Sequence, residues 1–172
     1  VEKVFGAIKR TKEGEAIFTF PKPPIKCPGA PQKIMYLAED YFRQQGLRDK
    51  CRILFAAAWP RIFTADKYAK ALEKVVERKR IETHFKYDLI EIQPEERKAT
   101  FQILETDRTE TFSYDMIHVT PKMGPPEFIA RSPLADAAGW VDVDKLTLQH
   151  TKYPQVFGLG DGSNLPTSKT GA

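Results

Sequence analysis

The chain has 172 residues, 41% of them hydrophobic and 29% charged, with a formal net charge of +4. That balance suits one sizeable globular domain, or one domain with an appendage, and excludes general disorder. Lysine and arginine are scattered, which argues against nucleic acid as a partner; no apolar run approaches the ~20 residues of a membrane span; and two cysteines are too few for a disulfide framework.

Residues 1–10 read as a helix with Val1, Val4, Phe5 and Ile8 on one face. "KEGE" is a turn, and "EAIFTFP" a strand that stops at Pro21. A proline-bearing loop, 22–30, carries Cys27. Pro31 suits the first turn of a helix, where its missing N–H costs nothing. That helix is expected to run to about Gln45, with Ile34, Leu37, Ala38, Tyr41 and Phe42 inward and Gly46 as its stop. "CRILFAAAW" is nearly continuous apolar sequence, the pattern of a parallel strand covered on both faces. Residues 65–80 give a second helix with Ala69, Leu72, Val75 and Val76 inward, and "ERKR" at its end is a solvated, dipole-favoured terminus. The β-α-β-α order predicts a parallel sheet with right-handed crossovers.

The pattern then changes. "IETHFKYDLIEIQ", "KATFQILE" and "TETFSYDMIHVTP" read as strands split by polar turns, an antiparallel meander inserted into the α/β layer, with "DMIHVTP" returning to the parallel sheet. Residues 124–141, rich in Pro and Gly, are expected to be irregular. The fold class is therefore α/β, Rossmann-like, with an inserted β-meander.

Two stretches carry chemistry. In a dinucleotide fold, Gly-x-Gly-x-x-Gly lies between the first strand and helix, and an acidic residue ends the second strand. "CPGAPQ" offers only Gly29, and "FAAAWPRIF" has no carboxylate, so a nicotinamide site is not expected there. Cys27 instead precedes a helix N-terminus, near Lys26 and Lys33. Helix-end partial charge and ammonium groups favour a thiolate, which can attack sulfur electrophiles or accept sulfur. The alternative is a small hydrophobe in a loop. Cys51 opens an apolar strand and is expected to be buried and inert. In the second stretch, "YPQVFGLGDGSNLPTSKT", a short hydrophobic strand is expected to end at Asp161, with a helix starting near Pro166. In two-domain flavoproteins such a carboxylate meets the ribityl hydroxyls, and a glycine beside it, Gly160 here, permits close backbone approach. An Asx turn at a strand end is the other reading. His84, His118 and His150 are scattered, and no metal site is expected.

"AIFTFPKPPIKCPGAPQKIMYLAEDYF" and "HVTPKMGPPEFIARSPLADAAGWVDVDKLTLQHTKYPQVFGLGDGSNLPTSKT", with the spacing between them, resemble sulfide:quinone oxidoreductase of the mitochondrial and related bacterial type. The likeness covers essentially the whole chain. It implies a two-domain flavoprotein in which residues 1–160 form the second dinucleotide-like domain and 161–172 begin the return to the FAD domain. The complete protein would use FAD to oxidise sulfide to a persulfide or polysulfide and would reduce a membrane quinone. Cys27 matches the first redox cysteine of the family, in its "KCxGAP" loop; the second lies past the end of this chain, and Cys51 does not match it. Asp161 and Lys169 match cofactor-contacting residues. The chain starts at Val1 rather than Met and lacks the Gly-rich FAD fingerprint and the membrane-facing C-terminal region, so it reads as an excised piece, inactive alone and retaining FAD poorly. The resemblance further implies membrane association, at a bacterial cytoplasmic face or the matrix side of the mitochondrial inner membrane, and allows a homo-oligomer. Two other readings are a type II NADH:quinone dehydrogenase-like flavoprotein and a non-catalytic interaction domain of the same fold.

Overall fold

The computed structural model describes residues 2–166. Contacts divide the chain into two compact units: Val1–Lys22 with Gly29–Pro121, and Pro23–Pro28 with Lys122–Ala172. The first unit holds the regular structure. Its elements in order are α1 (Glu2–Arg10), β1 (Gly14–Phe20), α2 (Ala30–Gln44), β2 (Cys51–Ala57), α3 (Asp66–Arg78), β3 (Ile81–Phe85), β4 (Tyr87–Gln93), β5 (Lys98–Ile103), β6 (Thr109–Ser113) and β7 (Met116–His118).

Four strands form an all-parallel sheet in the order β3-β2-β1-β7, and β4-β5-β6 form a separate antiparallel sheet. The Rossmann-like sheet with an inserted meander is thus the observed fold. "IETHFKYDLIEIQ" is not one strand, however. It breaks at Lys86, which takes φ +64, so that Ile81–Phe85 pairs with β2 and Tyr87–Gln93 leaves for the second sheet. "TETFSYDMIHVTP" divides into β6 and β7, and Met116–His118 returns to the parallel sheet as expected. The break at Lys86 falls where one apolar alternation must serve two sheets, and alternation alone carries no mark of that change.

Burial explains the run of apolar residues in β1 and β2. Ile17, Leu54 and Ala56 pack against Ala99 and Phe101 of β5, with Tyr87, Leu89, Phe112, Tyr114 and Ile117 around them. Ala16, Phe18, Ile53 and Phe55, alternating with these, are also fully buried, and α2 packs against both strands. Both faces of the sheet are therefore dry.

The helix α2 begins with Pro31 in its first turn and ends at Gly46, whose φ of +67 lets Leu47 N donate to Phe42 O at 2.8 Å. Its inner stripe differs from expectation. Pro31, Gln32, Met35, Ala38, Glu39 and Phe42 are buried, whereas Leu37 is 58% exposed. The apolar count was misleading because Glu39, a charged residue, faces inward. It is held by Lys79 and Arg48. Arg48 in turn donates to the carbonyls of Cys51, Lys79 and Arg80 at 2.6–2.7 Å, tying the end of α3 to the start of β2. In the "ERKR" stretch, Lys79 thus reaches a buried carboxylate while Arg80 pairs with Asp49. On α1, Ile8 is buried but Phe5 is half exposed, edge-on to Tyr41. No helix among the described residues is long and apolar enough to cross a membrane.

Candidate functional site

The second unit has little regular structure, and side chains do much of the work that strands do elsewhere. One short helix, α4 (Glu127–Ala130), is followed by isolated bridges: Ala135–Val141, Val141–Ser163, Val143–His150 and Gln149–Phe157. Asp136 accepts from the backbone N–H of Ala138 and Trp140 at 2.9 and 3.0 Å. Buried His150 accepts at Nδ1 from Lys152 N–H, 2.9 Å, and its Nε2 lies 3.1 Å from Leu134 O. One nitrogen accepting and the other donating is the pattern of a neutral imidazole.

The "GLGDG" stretch is placed by these contacts. The hydrophobic strand expected before Asp161 does not form: Phe157 makes one bridge, and Gly160–Gly162 is a single 3-10 turn. Phe157 and Leu159, on one side of this segment, are 59% and 70% exposed, so its two large apolar side chains find no core to pack against. Between them Gly158 lies against Val141 and Val143. A Cβ on Gly158 would stand 2.8 Å from Val143 Cγ1 and 2.9 Å from Val141 Cγ1. Gly158→Ala is therefore expected to cost about 1–3 kcal/mol, read as an earlier loss of backbone amide protection over 141–143 and 158–164. Gly29→Ala, where an added Cβ meets nothing within 4 Å, is the comparison and should leave those amides unchanged.

The turn after Gly158 is pinned from Val141 to Asn164. Val141 N–H donates to Gly162 O at 2.8 Å, and Asn164 N–H donates to Val141 O at 3.0 Å. The Asn164 side chain accepts from Val143 N–H at 3.1 Å and donates to Asp142 at 2.9 Å. Ser163 is 1% exposed and its hydroxyl donates to Gly160 O. Gly160 takes φ +62, and a Cβ built there would meet nothing within 4 Å. Asp161 is 58% exposed at the side chain. Lys169 and the helix expected near Pro166 lie outside the described residues.

Cys27 belongs to the same unit. It is half-buried and free, with φ +46, a left-handed conformation that few non-glycine residues adopt. The residue before it joins the loop to the turn. Lys26 Nζ is 3.8 Å from Asp161 Oδ2 and 5.4 Å above the Trp140 ring, and Lys26 N–H points at Met123 Sδ, 2.9 Å away. Cys27 and Asp161, separated by most of the chain, are thus linked through one side chain. In the sequence Lys26 reads only as a charge near the thiol, and Trp140 and Asn164 do not stand out at all.

Cys51 is 2% exposed, and burial pushes its thiol above the ordinary range, as expected for an inert cysteine. The three histidines stay apart in role: His84 meets Glu82 at 2.6 Å, His118 is lowered by burial, and His150 is used internally. Among the described residues no cluster of His, Cys, Asp and Glu could hold a metal ion. At the carboxyl ends of β1 and β2, where a nicotinamide cofactor would meet an acidic residue, Phe20 and Trp59 stack with centroids 5.5 Å apart and β2 ends in Ala57.

No family model matches the sequence. Curated relatives do, among them the mitochondrial sulfide:quinone oxidoreductase of Mus musculus, 53% identical over 100% of this chain, and that of Dictyostelium discoideum, 49% identical over 99%. The chain spans 38% of the length of each. In three dimensions it is similar to the sulfide:quinone oxidoreductase of Aquifex aeolicus, with a TM-score of 0.82 at 17% identity, covering 99% of this chain and 41% of that one.

Proposed function

We propose that this chain, 53% and 49% identical over its length to two mitochondrial sulfide:quinone oxidoreductases, is part of such an enzyme and supplies its sulfur-handling cysteine and part of its flavin cradle. Sulfide would be oxidised to a persulfide or polysulfide and a membrane quinone reduced. Residues 1–160 take the part of the second dinucleotide-like domain, and 161–172 begin the return to the domain that carries FAD. The full-length protein would be mitochondrial, as its relatives' names suggest, and would sit on the matrix side of the inner membrane. The chain alone would turn over little sulfide.

The observation that carries this reading is the link from the Cys27 loop to the Gly160–Asp161 turn within one unit. The residues suit a flavin. Asp161 presents an exposed carboxylate that can accept hydroxyl hydrogens, and the open space at Gly160 admits a close approach. Lys169 would add a cation. When bound, FAD supplies the two-electron relay between sulfide and quinone. The chain's own contribution is to present sulfur. A half-buried Cys27 is reachable by a small anion such as hydrosulfide, and a thiolate there can form and break sulfur–sulfur bonds. Buried Cys51 is not placed for that chemistry.

Anaerobic titration of the full-length, FAD-loaded protein tests the reading. Sulfide should bleach the flavin absorbance within seconds, and NADH should leave it unchanged. The stacked Phe20 and Trp59 and the missing strand-end carboxylate argue against nicotinamide. Faster bleaching by NADH than by sulfide would move the assignment to a type II NADH dehydrogenase, and no bleaching by either, to an interaction domain.

A further inference from the structure

We propose that Lys26 is a positioning residue for this chemistry: its side chain couples the Cys27 loop to the Gly160–Gly162 turn, so that the two hold one geometry. The proposal rests on reading Cys27 and Asp161 as site residues. Three contacts converge on Lys26. Its backbone N–H is fixed on Met123, its ammonium lies over the Trp140 face, and the same ammonium faces Asp161. Both partners are themselves held. Trp140 N–H is bonded to Asp136, and the Asp161 turn is pinned through Ser163 and Asn164. The ammonium therefore bridges two anchored points.

The backbone supplies a second reason. Cys27 keeps a left-handed conformation without being glycine, and such a residue persists only where its surroundings over-determine it. Lys26 is the neighbour with those constraints. At 23% exposure its side chain is mostly withdrawn from water and fixed over the ring, so it reaches the more exposed Asp161, 58%, from a set position rather than as a free surface lysine. An ordinary surface ion pair, by contrast, joins two mobile side chains and couples nothing.

Hydrogen–deuterium exchange on the full-length protein reads the coupling. In Lys26→Met, which keeps the stem and removes the charge, exchange should rise about three- to ten-fold both over Ile25–Cys27 and over 158–164. Asp161→Asn should produce the same rise over Ile25–Cys27, and the double variant should exchange no faster than either single one. Lys26→Arg should stay within about two-fold of wild type, because it keeps both charge and ring contact. The rate of sulfide-driven flavin reduction should fall at least about five-fold in Lys26→Met and return in Lys26→Arg, with the quinone KM unchanged. Wild-type exchange over 158–164 in Lys26→Met, or effects of the two substitutions that simply multiply, would overturn the proposal. Because the exchange measurement uses no sulfide, it stands even if sulfide fails to reduce the wild-type flavin, an outcome that would instead sink the functional reading.

Discussion

Replacing Cys27 by Ser in the full-length protein is expected to lower sulfide-dependent flavin reduction by ~10³-fold or more, with flavin content and chemical reduction by dithionite unchanged. The size follows from the chemistry. A thiolate is a strong nucleophile toward sulfur, whereas a serine hydroxyl is neither ionised near neutral pH nor able to enter a sulfur–sulfur bond. Folding should survive, because Cys27 is half-buried in a loop and oxygen is smaller than sulfur. Cys51→Ser offers the contrast. That thiol is 2% exposed at the start of a core strand, so its loss should touch stability more than rate. Stopped-flow absorbance of the flavin decides the matter, and wild-type reduction in the Cys27 variant would end the assignment.

The second large effect is on stability. Phe101→Ala should destabilise the chain by about 3–5 kcal/mol, which at a slope of ~2 kcal/mol/M moves the urea midpoint down by roughly 1.5–2.5 M. Phe101 is fully buried and lies in the cluster that joins β5 to Ile17, Leu54 and Ala56 of the parallel sheet. Its ring also meets Tyr87 and Phe112, at 6.4 and 5.8 Å between centroids. Removing it opens a cavity where two sheets meet, and the rigid strands on either side leave little scope for collapse. Ile90→Ala, on a residue of the same meander that is 52% exposed, should shift the midpoint by no more than a few tenths of a molar. Equal shifts for the two would mean that the meander does not pack on the parallel sheet through Phe101.

The sequence announced much of this fold because its signals were local. Pro31 and Gly46 bracket α2 closely, and the unbroken apolar run of β2 is what a doubly covered strand requires. Where two sheets share one alternating stretch, as at Lys86, the divide depends on a single left-handed residue, and alternation on either side looks the same. The inner stripe of α2 was misjudged because Glu39 is buried only by virtue of Arg48 and Lys79, partners from elsewhere in the chain. The site followed the same logic. Cys27 and Asp161 stood out by their local surroundings. What links them did not, since Lys26 finds Trp140 and Asp161 only once the chain has folded. The hydrophobic look of "VFGLG" suggests a strand, yet Phe157 and Leu159 face outward and Gly158 faces in.

Pro23–Pro28 is grouped with residues from 122 onward, although it lies between β1 and α2. During synthesis the thiol at position 27 therefore leaves the ribosome 134 positions ahead of the carboxylate at 161, an interval of roughly 7–27 s at the usual 5–20 residues per second. Until Met123 and Trp140 emerge, which is most of that wait, the nascent segment has none of its later companions. The first unit's parallel sheet draws on none of those residues and can form earlier, whereas the hexapeptide gains its partners only after residues from 122 onward have emerged.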